Sequence, residues 1–483
     1  MSALDDSKTG DTTSSSDNFK VPPSALGHVT CARDDLERRI LRKLDLRMSI
    51  IVVIFTLNYI DRSNVSNARL QGFEQDLHLQ GQQYATILSI LFVGYTIMQV
   101  PANMFLYWLG RPSIFLPSCM LVWGVISVLT GITKSYTGAV LTRFFLGFAE
   151  GPFYPGSLFL ISQWYKRDEL ALRVALISCG IPISNAFGSL IASGILQGMQ
   201  GKLNQAAWRW LFYIEGSVTI FVAICAMFIL PDFPHNTKWL SPEERALAIS
   251  RLAEDGDSRT ELWNKTSIQG LRDAVSDWKV WWFTAAYIVQ LLAQSFAAYF
   301  PTLSATMGYN TTVTLLLCAP PWVLSTITAF ALSRYSDKKQ KRYIYYAASN
   351  GLTALGFIIS VCTMNTAARY FSLFLMAQVY AGYMVFWGWV NNTFAGEPAK
   401  RAVAVAMINS LGSIGNITGS YVWQSQWGPT YRYSYAVCIA TIGVSTGMLG
   451  VMHLHLKRLN DRIAREERDN EALGGTVGFR YLV

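Results

Sequence analysis

Two pairs of opposite charges sit in stretches that otherwise look built for lipid. "LNYIDRSNV" sets Asp61 beside Arg62 in a run that is apolar from Ile50 onward, and "RFFLGFAEGPFYPG" sets Arg143 and Glu150 seven residues apart in another. A charge at bilayer depth costs at least ~2.5 kcal/mol even on lenient insertion scales, so such residues are functional-site candidates by default. A spacing of seven puts Arg143 and Glu150 on one helix face two turns apart, too far for a close pair. Each must answer to a partner on another helix, and Asp61 and Arg62 are the obvious ones. Two acids and two bases are formally neutral together, which lowers the cost of burying any of them.

The chemistry such a cluster offers is a switch between a proton and an anion. Protonation of a carboxylate beside an arginine changes when a second anion competes for that arginine. Arginine suits the anion, because its planar fork grips a carboxylate bidentately and stays charged at any relevant pH. Asp61 and Glu150 are therefore the proton-coupling candidates, and Arg62 and Arg143 the arginines available to an anion or to the acids. The same residues could instead form a static clamp between helices, or Asp61 and Arg62 could lie at the membrane surface. Against the surface, about a dozen helical residues follow Arg47 before Asp61, a rise of ~20 Å that reaches past the midplane. Asn58, Tyr59, Ser63, Asn64 and Asn67 give that stretch a face suited to water. Tyr59, Asn64 and, on the next apolar run, Tyr95 join Arg62 as substrate-binding candidates.

These residues need helices to hold them, and the composition supplies them. The chain of 483 residues is 51% hydrophobic and only 15% charged, with a mean hydropathy of +0.26, too apolar for an ordinary soluble protein. Aromatics make up 13%, including 15 tryptophans, as interfacial belts would require. Apolar stretches of about 20 residues number twelve, at 46–65, 83–106, 113–131, 139–161, 171–196, 209–230, 280–301, 313–334, 343–363, 369–392, 402–425 and 433–455. Helices are expected throughout, because only helices or closed barrels satisfy the backbone in lipid and no alternating strand pattern is present.

The formal charge of +9 does not suggest nucleic acid, because the basic residues fall in alternate gaps rather than one patch. "RRILRK", "KRDELALR", "SDKKQKR", "PAKR" and "KRLNDRIAREER" mark one side. The other side holds essentially Arg69, Lys134, Lys202, Arg209, Arg369 and Arg432. The positive-inside rule then puts both termini in the cytosol. The longest polar interval, 231–279, falls midway, and within it "SPEERALAISRLAED" reads as a surface helix with a Ser cap, Pro at the first position and acids in the first turn. The expected division is a disordered cytosolic tail 1–45, a six-helix bundle 46–230, the loop 231–279, a second bundle 280–455 and a cytosolic tail 456–483. The first twenty residues lack an apolar core, so no cleavable signal peptide is expected.

The second half keeps its charges in loops and offers neutral polar groups in its spans. Each of Gln290, Gln294, Gln378, Asn391, Asn392, Asn409 and Asn416 could bond between helices or touch a substrate; Asn391, beside Trp387 and Trp389, is the binding candidate. "FGSLIASG" and "LGSIGNITG" read first as close helix packing through small residues. The seven cysteines are scattered, so neither a disulfide framework nor a metal cluster is implied, and no cofactor is expected.

Taken in order, "LNYIDRSNV", "RFFLGFAEGPFYPG" with "WYKRDELALR", "WRWLFYIEG", "PDFPHNTKWLSPEER" and "NNTFAGEPAKRAVAVAMINSLGSIGNITGSY" resemble the anion:cation symporter family of the major facilitator superfamily, in its fungal branch of allantoate, nicotinate and pantothenate permeases. The resemblance covers about residues 40–455. It implies an all-α membrane protein of twelve transmembrane helices in two pseudo-symmetric bundles, working by alternating access as a monomer in the plasma membrane. By resemblance, Asp61 and Glu150 carry protons, Arg62 binds the anion, Arg143 partners the acids and Tyr59 lines the site. The substrate class implied is a small carboxylate such as nicotinate. One departure is that the gating motif after the second span is reduced to "WLGRPS", without its usual acidic residue, so that gate must be latched differently.

Other readings carry less. A drug:proton antiporter would show a "GPxxGG" fifth span where this chain has "SCGIPISNAFGS", although export of a fungal metabolite stays open. A sugar porter would resemble "PESPR" where this chain has "PDFPHNTKW". No zinc motif, nucleophile elbow or phosphate-cradling loop points to an enzyme. A non-transporting nutrient receptor would share the same sequence features.

Overall fold

The computed structural model describes residues 23–237, 239–254, 269–394, 398–471 and 481–482, and these are helical apart from short connections. Among the described residues, ten helical segments are long and apolar enough to cross a membrane: Pro112–Ile132, Tyr136–Ser162, Leu176–Gly198, Ala207–Ile229, Trp278–Ala305, Thr311–Lys339, Tyr343–Cys362, Thr366–Thr393, Lys400–Ser420 and Arg432–Arg465. They match the third to twelfth expected stretches and keep those ordinal numbers below. The first and second stretches lie in helices Pro23–Ala68 and Gln83–Leu109, which are outside the ten. The reason is plain for the first: its apolar run carries Asp61, Arg62, Asn58 and Asn64.

The first helix begins at Pro23, inside the stretch expected to be a disordered tail, while residues 1–22 lie outside the described residues. The segment is amphipathic. Ile40, Leu44 and Met48, four residues apart, are all buried, one stripe of a helix docked on its neighbours. Its polar side is tied down by ions. Glu37 takes Lys166 and Arg251, each at 3.0 Å, and Lys43 meets Glu244 at 2.6 Å. Burial pushes the Glu37 carboxyl up, but the hydrogen bond and charges of Lys166 and Arg251 outweigh it and hold it low; the Lys43 hydrogen bond does the same for Glu244. Glu244 belongs to the expected surface helix, Pro242–Glu254, and closes a capping box: its backbone N–H donates to Ser241 Oγ at 3.2 Å, and the Ser241 N–H donates to its carboxylate at 3.1 Å, satisfying two donors the helix start would leave bare.

The acid missing from "WLGRPS" arrives from elsewhere in the chain. Asp232, just past the sixth span, accepts from Ser113 Oγ at 2.6 Å and from the Ser113 N–H at 3.3 Å, placing a carboxylate on the N-terminus of the third span, where the helix dipole favours it. In the second half the acid is local, with Asp337 against Arg342 at 2.5 Å.

The same neighbours recur in both halves of the sequence. The second span packs on the fourth as the eighth does on the tenth; the third packs on the sixth as the ninth does on the twelfth; the first packs on the fifth and sixth as the seventh does on the eleventh and twelfth. Between the halves, the fifth meets the eighth and the second meets the eleventh. Glycines make these approaches possible. A Cβ on Gly147 would stand 1.9 Å from the Leu91 carbonyl oxygen, and one on Gly415 would stand 2.2 Å from that of Ile288. Gly147→Ala is therefore expected to push the second and fourth spans apart at a cost of ~1–3 kcal/mol, read as a lower thermal midpoint in detergent. Gly194→Ala, where nothing lies within 4 Å, is the neutral control, and equal midpoints would contradict the packing argument.

Candidate functional site

The first helix runs unbroken past Asp61 and Arg62, and the fourth span also stays helical past its acid. Helix Tyr136–Glu150 passes into helix Phe153–Ser162 through Gly151 and Pro152, both with right-handed helical backbone angles. A Cβ on Gly151 would lie 2.8 Å from the Tyr95 carbonyl oxygen, so the glycine lets the second span come close one residue past Glu150.

The four expected charges come together, with partners the spacing could not give. Arg62 Nε donates to Glu150 Oε2 at 2.6 Å, with the Glu150 side chain fully buried and that of Arg62 13% exposed. The guanidinium lies 5.0 Å from the centre of the Tyr59 ring and 4.6 Å from that of Tyr95, a cation held between two aromatic faces. Asp61 turns the other way. Its carboxylate accepts from Ser127 Oγ of the third span at 3.2 Å and Thr219 Oγ1 of the sixth at 3.1 Å. Arg143 reaches the backbone carbonyl of Asp61 at 3.4 Å and stands over the Phe212 ring at 5.5 Å. Its Nε and Nη2 have no hydrogen-bond partner. Thus Arg62 belongs to Glu150, and Arg143 is a buried cation set beside Asp61 rather than paired with its carboxylate.

The remaining candidates divide. Tyr59 and Tyr95 flank Arg62. Asn64 is fully buried and neither end of its amide is bonded. Asn391 lies apart: it is exposed near the end of the tenth span, and its amide donates to the Trp387 carbonyl of its own helix at 2.8 Å. What the second half turns toward Arg62 is aromatic instead. Tyr287, Tyr380 and Tyr383 lie within electrostatic reach of Tyr59 of the first half. Tyr287 stacks on Phe386 at 5.2 Å and meets Trp387 edge-on at 5.2 Å. Tyr380, Tyr383 and Trp387 fall at helical spacing on one face of the tenth span, a signal legible in the sequence but drowned by its many aromatics. The sequence reading also passed over Glu215, in "WRWLFYIEG", which is 5% exposed. Among the described residues no group of three or more His, Cys, Asp and Glu side chains is arranged to hold a metal ion.

Bonds joining the two halves gather at the end of the helices that carries residues 69–83 and 420–432. Arg69 donates to Ser425 at 3.0 Å and Thr302 at 3.4 Å while paired with Glu74 at 3.0 Å. Tyr84 meets Tyr299 edge-on at 5.7 Å, and Tyr421 bonds Thr86 and Ser89 at 3.1 and 3.2 Å. Gln99 and Ser410 join the second and eleventh spans further along.

Comparison with known proteins places this geometry in a family. The pattern of the Major Facilitator Superfamily matches residues 51–420. The chain is 31% identical over 442 residues to the MFS-type transporter cnsO of Penicillium expansum, covering 88% of this chain and 84% of that one. It is 30% identical over 416 residues to the MFS-type transporter efuF of Hormonema carpetanum, covering 85% and 83%. Among solved structures, the partially occluded inward-open xylose transporter XylE of E. coli superposes with a TM-score of 0.65 at 16% identity, over 84% of this chain and 96% of XylE. A bacterial homolog of the human lysosomal transporter Spinster, inward-facing and unoccupied, gives 0.63 at 16%, over 85% and 95%. The chain belongs to the Major Facilitator Superfamily. It is a multi-spanning membrane protein that moves a small molecule across the bilayer by alternating access, a transporter and not an enzyme.

Proposed function

We propose that this transporter imports a small organic anion, a carboxylate such as nicotinate, together with protons, and that it belongs to the fungal allantoate, nicotinate and pantothenate branch of the anion:cation symporters. The observation that carries the reading is the Arg62–Glu150 pair, 2.6 Å long and set between Tyr59 and Tyr95. An incoming carboxylate that grips the guanidinium fork bidentately competes with Glu150 for it and displaces it. A displaced carboxylate with no cation is costly in a buried site, so it takes up a proton. Anion binding and proton binding are then one event. The aromatic wall from Tyr287, Tyr380 and Tyr383 suits a flat apolar body behind that carboxylate.

The protein is read as twelve spans in two six-helix bundles, 46–230 and 280–455, supported by the packing relations that recur between the halves. It acts as a monomer in the plasma membrane with both termini cytosolic. In that orientation the Arg69 bonds close the outer end.

Purified protein in vesicles tests this. With the outside acidic, labelled nicotinate is expected to accumulate inside, the accumulation to collapse with a protonophore, and Arg62→Ala to abolish it. Binding without uptake would mean a receptor, and uptake indifferent to the pH gradient would remove the proton from the mechanism.

A further inference from the structure

The buried cluster holds a third acid. Glu215 lies on the sixth span four residues before Thr219, one turn along the same helix face, and Thr219 is the residue that donates to Asp61. Glu215 is 5% exposed, and neither of its carboxyl oxygens has a hydrogen-bond partner; the Asn64 amide stands alongside without a bond of ordinary geometry. The ionisable groups near it are few. The first span brings Asp61, and the fourth brings Arg143, stacked over Phe212 one turn back on the sixth. The third and fifth spans, which also pack on the sixth, bring no acid or base to this level. Arg69, at the outer end, is engaged by Glu74.

Three acids therefore face two arginines, and the unpartnered one is Glu215. An ionised carboxylate buried without a hydrogen bond or a cation is far costlier than the neutral acid, so a proton resides there. Along the sixth span Glu215 is one turn nearer than Asp61 to the end where the halves are joined. Beyond it Phe212, Trp208 and Phe73 pack ring on ring, with Phe73 and Trp208 at 5.0 Å and Phe73 and Phe212 at 6.4 Å. Trp208 is fixed by its indole N–H to Asp76 at 2.7 Å.

We propose that Glu215 is a proton-holding group that supplies Asp61, giving protons a route inside the first half of the chain separate from the anion's route at Arg62. Resting on the symport reading above, the step is a transfer from the Glu215 carboxylic acid to the Asp61 carboxylate. The Glu215 carboxylate left behind is reloaded by a proton from the outer side once the aromatic plug opens.

Two measurements on the full-length protein test it. In vesicles, Glu215→Gln should lower the ratio of proton-driven nicotinate uptake to nicotinate self-exchange by on the order of a hundredfold, the usual worth of a positioned proton donor, and flatten its pH profile. Glu215→Asp should restore part of both. A Glu215→Gln protein with the wild-type ratio and pH profile would overturn the proposal. The second measurement needs no substrate: infrared difference spectra of the empty protein should show a protonated-carboxyl band that Glu215→Gln removes, and a band unaffected by that change would overturn the proposal. If wild-type protein neither exchanges nor accumulates nicotinate, the symport reading fails by itself and the infrared result alone decides the role of Glu215.

Discussion

Arg62→Lys is expected to reach the membrane yet bind its carboxylate substrate on the order of 30-fold or more weakly, since breaking one side of a buried, hydrogen-bonded charge pair costs ~2–5 kcal/mol. Lysine keeps the charge but loses the planar fork and the ability to lie flat between two aromatic rings, and Arg62 uses both. Its Nε is bonded to Glu150 at 2.6 Å, a fork that an arriving anion takes over when it displaces that carboxylate, and its plane is held by Tyr59 and Tyr95. An ammonium could replace the ion pair but neither of the other contacts. Thermal shift of the purified protein with nicotinate, with Arg62→Ala as control, reads the loss. Near-normal affinity in Arg62→Lys would remove Arg62 from the site.

Uptake is expected to carry net positive charge. With Glu215 neutral, Asp61 and Glu150 balance Arg62 and Arg143 in the empty site. A bound monoanion with protons on both Asp61 and Glu150 then leaves one positive charge on the inward cycle, and 100 mV contributes ~2.3 kcal/mol to accumulation. Two acids near one substrate arginine would repel the anion unless both were neutralised. At fixed pH gradient, an inside-negative potassium diffusion potential should therefore speed uptake, and Glu150→Gln should abolish the acceleration. Uptake indifferent to potential would reduce the mechanism to one proton, carried at Glu150 alone.

Much of this architecture was legible in one chain because lipid enforces it. Ten of the twelve apolar stretches recur as helices long and apolar enough to span, and the Ser241 cap was readable because capping needs only local residue types. The charged cluster was legible because charges in apolar runs are conspicuous. Which acid meets which arginine was not, since a spacing of seven fixes a helix face and says nothing of the rotation of the neighbouring helix. Glu215 escaped notice because its run, "WRWLFYIEG", places it near the expected start of a span, where an acid is unremarkable; only the packing of the third and first spans buries it. Asn391 failed to join the cluster for the converse reason. Amides in spans are common, and the tyrosine face of its helix is drowned among the chain's many aromatics. The segment 23–45 reads as a tail because it carries as many ions as apolar residues, but Ile40 and Leu44 find a surface that only the assembled fold provides.

The central claim, that anion and proton enter together, is tested most directly by a pH indicator trapped inside vesicles that contain the protein. With equal pH on both sides and the membrane potential clamped, adding nicotinate outside should acidify the interior in step with uptake, and Arg62→Ala should show neither. Uptake with no change of interior pH, or with alkalinisation of the interior, would contradict symport, the latter being the signature of exchange against protons.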